Sequence, residues 1–219
     1  MSSERKQEIT EVLKKGRYSL DSLPQLKAYL QEQIDQRSYD FEANLALLKI
    51  FQFNPSHIDI DVVQKVLIKA LMNLPHMDFP LSLYVLPEAA HQNEGVAALK
   101  KVSNLLETAQ FTGFWTLFEE DSATSVLLKN FPGFREAIQS FAVSVLTVAY
   151  QSVPVDVLAS AVHLNGAALD EFVAKQEGWK TEDDLVTLPV TELNQARQIK
   201  TTEQLDRKKV ANIFSVLTK

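Results

Sequence analysis

The sequence contains no cysteine, which excludes a disulfide framework and any thiolate metal centre and fits a reducing compartment. Glycine and proline are also sparse, at six and eight residues, far below the content of fibrous or low-complexity chains. So few glycines leave no phosphate-cradling loop. Neither GxGxxG nor GxxxxGK followed by serine or threonine occurs, and there is no GxSxG nucleophile elbow. A long hydrophobic run is missing as well. The longest apolar stretch, residues 141–150, contains Ser144 and Thr147 and is too short to span a bilayer, so no membrane association is expected. The opening MSSERKQEIT is polar and charged, unlike a secretory leader, and a cytoplasmic location is expected. Positive charge is not in excess. The formal net charge of −6 argues against broad attraction to nucleic acid, though not against a local basic patch.

What the chain has is apolar residues: 46% of its 219 positions, enough for one large or two small domains. They are densest in Tyr39 to Pro55, YDFEANLALLKIFQFNP. Asp40 is a good N-cap, because its carboxylate can accept from the free N–H groups of a first helical turn. Glu42 adds negative charge at the same positive end. Leu45, Leu48, Phe51 and Gln52 then follow at helical spacing, flanked by Ala43, Ala46, Leu47 and Ile50. A helix apolar on more than one stripe has to be enclosed by neighbours. Asn54-Pro55 ends it, since the residue before a proline is pushed out of the helical region.

The neighbours are legible on both sides. A helix is expected over 4–15, stopped at Gly16. Ser22 is expected to cap a second helix carrying Leu23, Leu26, Leu30 and Ile34, and Asp59 or Asp61 a fourth ending before Pro75. A fifth runs over about 78–92, kinked or restarted by Pro87. A sixth covers about 95–108, and a short seventh carries Phe111, Phe114, Trp115 and Phe118. A long eighth follows Phe131-Pro132-Gly133. Apart from the last gap, successive elements start about every 15 to 20 residues, so helix pairs recur at somewhat under about 40, the range of helical-hairpin repeats. The pattern predicts a mainly all-α protein with a degenerate HEAT-like solenoid over 1–150.

The texture changes after Gln151. Val153-Pro154 opens a short helix, Leu164-Asn165-Gly166 reads as a tight turn, and a second helix with Leu169, Phe172 and Val173 runs toward Gly178. Residues 185–190, LVTLPV, have strand character. Helix, turn, helix and strand outline a winged helix over 151–202. No flexible linker precedes it, so it should pack directly on the repeats. Residues 203–219 form a last element. There Val210, Ile213, Phe214 and Leu217 share one helical stripe, extended by Leu205. Such a terminal helix either folds back on its own winged helix or docks on a partner.

No catalytic or cofactor constellation stands out. His57, His76, His91 and His163 lie far apart, and none has a partner at helical metal-site spacing. Each reads as a packed or surface histidine, with His76 a turn residue bonding local backbone. Glu119, Glu120 and Asp121 read as a solvated helix end, and Glu182, Asp183 and Asp184 as a turn. The aromatic cluster from Phe111 to Phe118 reads as core. In the second winged-helix helix, Asp170, Glu171 and Glu177 oppose phosphates, and no arginine is placed for a guanine contact. Arg207, Lys208 and Lys209 read as a solvated face. No enzyme, cofactor or metal is expected.

Tyr39–Pro55, LIKALMNLPHMDFPL at Leu67–Leu81 and LLETAQFTGFW at Leu105–Trp115 together resemble the k-subunit family of eukaryotic translation initiation factor 3, in order over most of the first 150 residues. The resemblance implies a PCI-like architecture, helical repeats followed by a winged helix. It also implies a non-enzymatic scaffold in translation initiation. Other subunits of the factor would be its partners, subunit l foremost, with the small ribosomal subunit reached through the complex. It further favours docking through the terminal helix, at Leu205, Val210, Ile213, Phe214 and Leu217. An RNA-binding winged-helix protein with weak RNA contact, or a PCI-type subunit of the proteasome lid or signalosome, are the alternatives.

Overall fold

A computed structural model describes residues 3–120 and 122–196, the side chains of 3 and 4 excepted. The chain runs through α1 (Ser3–Gly16), α2 (Leu23–Asp35), α3 (Phe41–Phe53), α4 (Ile60–Leu71), α5 (Asp78–Val85), α6 (Glu88–His91), α7 (Glu94–Glu107), α8 (Phe111–Glu119), α9 (Ala123–Lys129) and α10 (Phe134–Ala149). It then forms β1 (Ser152–Pro154), α11 (Val155–Val162), α12 (Ala167–Ala174), β2 (Lys180–Glu182) and β3 (Leu185–Thr187).

Capping chemistry sets several starts. Asp40 accepts from Ala43 N–H and Asp59 from Val62 N–H, while Asn93 accepts from Gly95 and Val96 and Ser122 from Ser125. Asp59 also takes the Lys27 ammonium of α2 at 2.7 Å, which holds its carboxyl below the usual range. The cap of α4 therefore also ties α4 to α2. Ser22 stands at the start of α2, yet its side chain caps nothing there. Its hydroxyl donates to Gly16 O, closing the α1–α2 turn.

The helices pack in sequence. α2 lies on α3, α3 on α4 and α5, α4 on α7, and α7 on α8 and α9. α3 sits inside this stack, with Leu47, Leu48, Ile50 and Phe51 all 1% exposed or less. The expected buried stripe needs a correction. Gln52 is exposed and Leu45 only half-buried, while Asn44 is buried. The buried arc turns toward α2, where Asn44 finds a polar partner in Gln33.

Other boundaries differ for identifiable reasons. Pro87 separates α5 from α6 outright, because its ring leaves no N–H to continue the first helix. α9 lies where no helix was expected; its seven residues are too short for a periodic signal. Val153-Pro154 belongs to strand β1, and the helix starts at Val155. α12 stops at Ala174, short of Gly178, and the final strand ends at Thr187, before Pro189.

The three strands form one antiparallel sheet in the order β1-β3-β2, with Val153 opposite Val186 and Thr181 opposite Val186 on the other side. With α11 and α12 they make the winged helix. Its β1 brings the chain directly from α10 into the sheet. The core is continuous across this point, from Ile9 of α1 to Val186 and Leu188 beside the sheet.

Leu48→Ala should therefore lower stability by about 2–5 kcal/mol, the range for a fully buried leucine whose cavity cannot collapse. Chemical denaturation measures it, and a midpoint equal to the parent's would contradict the enclosure of α3.

Candidate interaction surfaces

Among the described residues no group of three histidine or acidic side chains gathers as a metal site. The histidines are dispersed. His57 is exposed, its ring Nδ1 3.1 Å from Ser56 Oγ, and the backbone N–H of exposed His76 donates to Asn73 O. His91 ends α6 half-buried. His163 takes a left-handed conformation after α11 and stacks on Trp115, with ring centres 5.2 Å apart. Glu119 lies 3.7 Å from His163 and 3.8 Å from Lys129, so it joins helix ends rather than a carboxylate pair. Phe111, Phe114, Trp115 and Phe118 are all core.

That aromatic cluster fastens the winged helix to the repeats. Trp115 Nε1 donates to Ala161 O at 2.8 Å, and Gln139 Nε2 of α10 donates to Val162 O at 2.8 Å. Both carbonyls belong to the last turn of α11, where a helix leaves acceptors unmet. Arg135 completes the seam, its guanidinium 5.6 Å from the Trp115 ring centre and a donor to His163 O. The winged helix is thus held by polar bonds to backbone as well as by apolar packing.

Beside the seam is an apolar groove of about 460 Å³ between the start of α8, the end of α10 and α11. Phe111, Val145, Leu146, Ala149, Tyr150 and Val157 line it. Val148, Tyr150 and Val157 stand exposed there or close by, at 47%, 52% and 44%. The chain after β3 returns to this end of α10. Leu188 N–H donates to Gln151 O, and the Asn194 side chain donates to Thr147 O, Tyr150 O and Pro189 O. Exposed Val190 and Leu193 flank that anchor in sequence. A second apolar face lies on α5, where Met77, Leu81 and Tyr84 follow at i, i+4 and i+7, all exposed.

The exposed side of α12 carries Asp170 and Glu171, with Glu177 just beyond. Acidic groups there repel a phosphate backbone. Leu205, Val210, Ile213, Phe214 and Leu217 lie outside the described residues, as do Arg207, Lys208 and Lys209. Sequence reasoning missed the groove, because its walls come from three helices far apart in the chain. The α5 face was visible as spacing inside residues 67–81 but was not singled out.

Lys69 and Tyr39, on the repeats, have unusual environments. Burial pushes the Lys69 ammonium toward its neutral form. Burial, and the bond to Asp78 at 2.9 Å, hold the Tyr39 phenol protonated far above its ordinary range.

A model described as the CSN8/PSMD8/EIF3K family matches residues 57–200. The chain is similar to a Nematostella vectensis protein named eukaryotic translation initiation factor 3 subunit K, 35% identical over 221 residues, covering 98% of this chain and 99% of that one. Proteins of the same name from Drosophila ananassae and Culex quinquefasciatus are 30% and 34% identical. They cover 91% and 90% of this chain, and 88% of each relative is covered.

Trp115→Phe should cost about 1–3 kcal/mol for the orphaned Ala161 carbonyl, plus a packing loss. Native-state hydrogen exchange should quicken in α11 while α2 and α3 keep their protection. Uniform quickening would mean the seam is not a local fastening.

Proposed function

The chain belongs to the CSN8/PSMD8/EIF3K family, and from that membership we propose a protein that works by holding other proteins: a non-catalytic subunit of eukaryotic translation initiation factor 3, acting in translation initiation. The observation that carries this reading is similarity running the length of both this chain and relatives bearing that name. Those relatives are not named for the proteasome lid or the signalosome. The acidic exposed side of α12 does not favour an RNA-reading role.

Other subunits of the factor are its partners. The finer reading makes subunit l, another PCI-type chain, its direct neighbour, reaches the small ribosomal subunit through the complex, and sets the work in the cytoplasm. Among the described residues no helix is long and apolar enough to cross a membrane. The reading divides the chain into repeats over 1–150, a winged helix over 151–202 and a terminal helix over 203–219. The end of α10 at Ala149 and the start of β1 at Ser152 support the first boundary.

In this reading Leu205, Val210, Ile213, Phe214 and Leu217 make the partner contact. Their spacing gives one apolar stripe on an amphipathic helix. The Asn194 anchor supports the assignment, because it fixes the chain beside the apolar end of α10 shortly before this segment. A partner helix laid there would cover Val148, Tyr150 and Val157, apolar surface that otherwise faces water.

Affinity capture of the full chain from cytoplasmic extract should recover other subunits of the factor. Deleting residues 203–219 should leave the circular dichroism spectrum helical and remove that recovery. A truncated chain that assembles normally overturns the docking role, and one that unfolds assigns the segment to the protein's own core. Binding to RNA should be weak and flat against salt. A steep salt slope would favour a nucleic-acid binder.

A further inference from the structure

A recess of about 290 Å³ opens where the α2–α3 turn, the end of α4 and the start of α10 meet. Arg37, Tyr39, Lys69, Met72, Asn73 and Gly133 line it. None of its lining residues is acidic. Lys69 is only 3% exposed. An ammonium has three protons to place, yet among the described residues Lys69 Nζ has one long hydrogen bond, 3.4 Å to Gln33 O, and otherwise faces the Tyr39 ring at 6.0 Å. Burial lowers its pKa, and among the described residues no carboxylate pairs with it. Asp78 touches the lining but is engaged, accepting from Tyr39 Oη at 2.9 Å and from Asn73 Nδ2 at 2.7 Å.

The second cation is Arg37. Its backbone is left-handed, at φ 51°, and its side chain lies against Gly133, 3.4 to 3.6 Å from where a Cβ would stand. Among the described residues Arg37 has no ion pair. Gly133, at φ 76°, is the N-cap of the 16-residue α10, whose first turn adds partial positive charge at the same spot. Two cations and a helix start thus converge on one concavity in a protein of net charge −6. Lys69 bears the desolvation cost of its burial, which an anion in the recess would offset, and the exposed Arg37 stands at the mouth as a second donor.

We propose that this recess binds a doubly charged oxyanion of the phosphoryl class, as free phosphate or as a phosphorylated side chain of a neighbouring protein. A dianion balances Lys69 and Arg37 together, whereas a carboxylate leaves one of them uncompensated. Lys69 serves as the buried point charge, and Arg37 closes the outer side with its forked donors. The site is independent of the assembly reading above, since it is defined by chemistry within this chain.

The test uses the full chain near neutral pH at constant ionic strength, titrated with inorganic phosphate, acetate and a phosphoserine peptide. Phosphate should raise Tm saturably and shift the amide resonances of Lys69, Gly133 and Ala137, and acetate should do neither. Lys69→Met, which keeps the stem, should abolish the response, and Arg37→Gln should weaken it about tenfold. If Lys69→Met does not fold, the resonance map of the parent and the Arg37→Gln titration decide. Response to the peptide as well as to phosphate assigns a phosphorylated protein as the source, and response to phosphate alone assigns the free ion. No saturable response to either, an equal response to acetate, or a phosphate response unchanged in the variants would overturn the proposal.

Discussion

The arrangement of the repeats depends on one buried amide pair. Gln33 of α2 and Asn44 of α3 are 0% and 2% exposed. They bond reciprocally: Gln33 Nε2 donates to Asn44 Oδ1 at 3.0 Å, and Asn44 Nδ2 donates to Gln33 Oε1 at 3.1 Å. Gln33 Oε1 also accepts Asp40 N–H at 2.9 Å, and the Asp40 carboxylate caps α3 and takes the Tyr29 hydroxyl at 3.2 Å. Apolar packing alone is non-directional and specifies the register of α2 on α3 less sharply than a hydrogen bond does. A buried amide pair cannot slide without leaving donors unmet, which costs far more than the bonds themselves contribute. Once that register is set, α3 presents Leu47, Leu48 and Phe51 in fixed positions, and α4 and α5 pack against a defined surface.

Much of this was legible because it is local. Asp40 announced its helix by residue type and position, and either Asp59 or Asp61 the fourth; the caps that form are those of Asp40 and Asp59. Pro87 and Gly166 marked a break and a turn for reasons of backbone geometry that hold in any context. The winged helix was readable from its helix-turn-helix spacing. What was hidden is non-local. Gln33 looked like one of several polar residues on α2, and only the approach of Asn44, eleven positions on, makes it core. Strands β1 and β2 have three residues each, too few for an alternating pattern, and exist because β3 pairs with both. Gln52 has the right spacing for the buried face yet stands in water, while Asn44, bonded to Gln33, is buried. The groove and the cationic recess are likewise products of assembly, each walled by elements distant in sequence.

The seam between repeats and winged helix uses the same kind of bond for a different end. At α2–α3 side chains bond to side chains, which fixes register. At α8–α11 the indole of Trp115 and the amide of Gln139 bond to the carbonyls that end α11. Those carbonyls would otherwise need water or a cap, so the winged helix completes its own helix end only by docking. Separation would expose Leu158, Ala161 and Val162 to water and replace two protein hydrogen bonds with hydration at once. A scaffold gains from this, because a partner bound at the winged helix then has a fixed orientation relative to the repeats.

α10 connects the cationic recess with the apolar groove. Its N-terminal end, at Gly133, meets the cationic recess, and its C-terminal turns, at Val145, Leu146 and Ala149, form a wall of the apolar groove. At about 1.5 Å of rise per residue, the eight-residue step from Ala137, at the recess, to Val145, at the groove, sets their nearest walls roughly 12 Å apart along the helix. The surfaces also differ in what they ask of a partner. The groove rewards removal of apolar area from water, a term that salt barely weakens. The recess rewards neutralisation of two cations, one of them almost fully buried, and its outer, Arg37 side is the part that salt screens. One rigid helix therefore carries an anion-dependent contact at one end and an apolar contact at the other. A protein that binds both is held at two points along a fixed axis, which sets its orientation as well as its affinity.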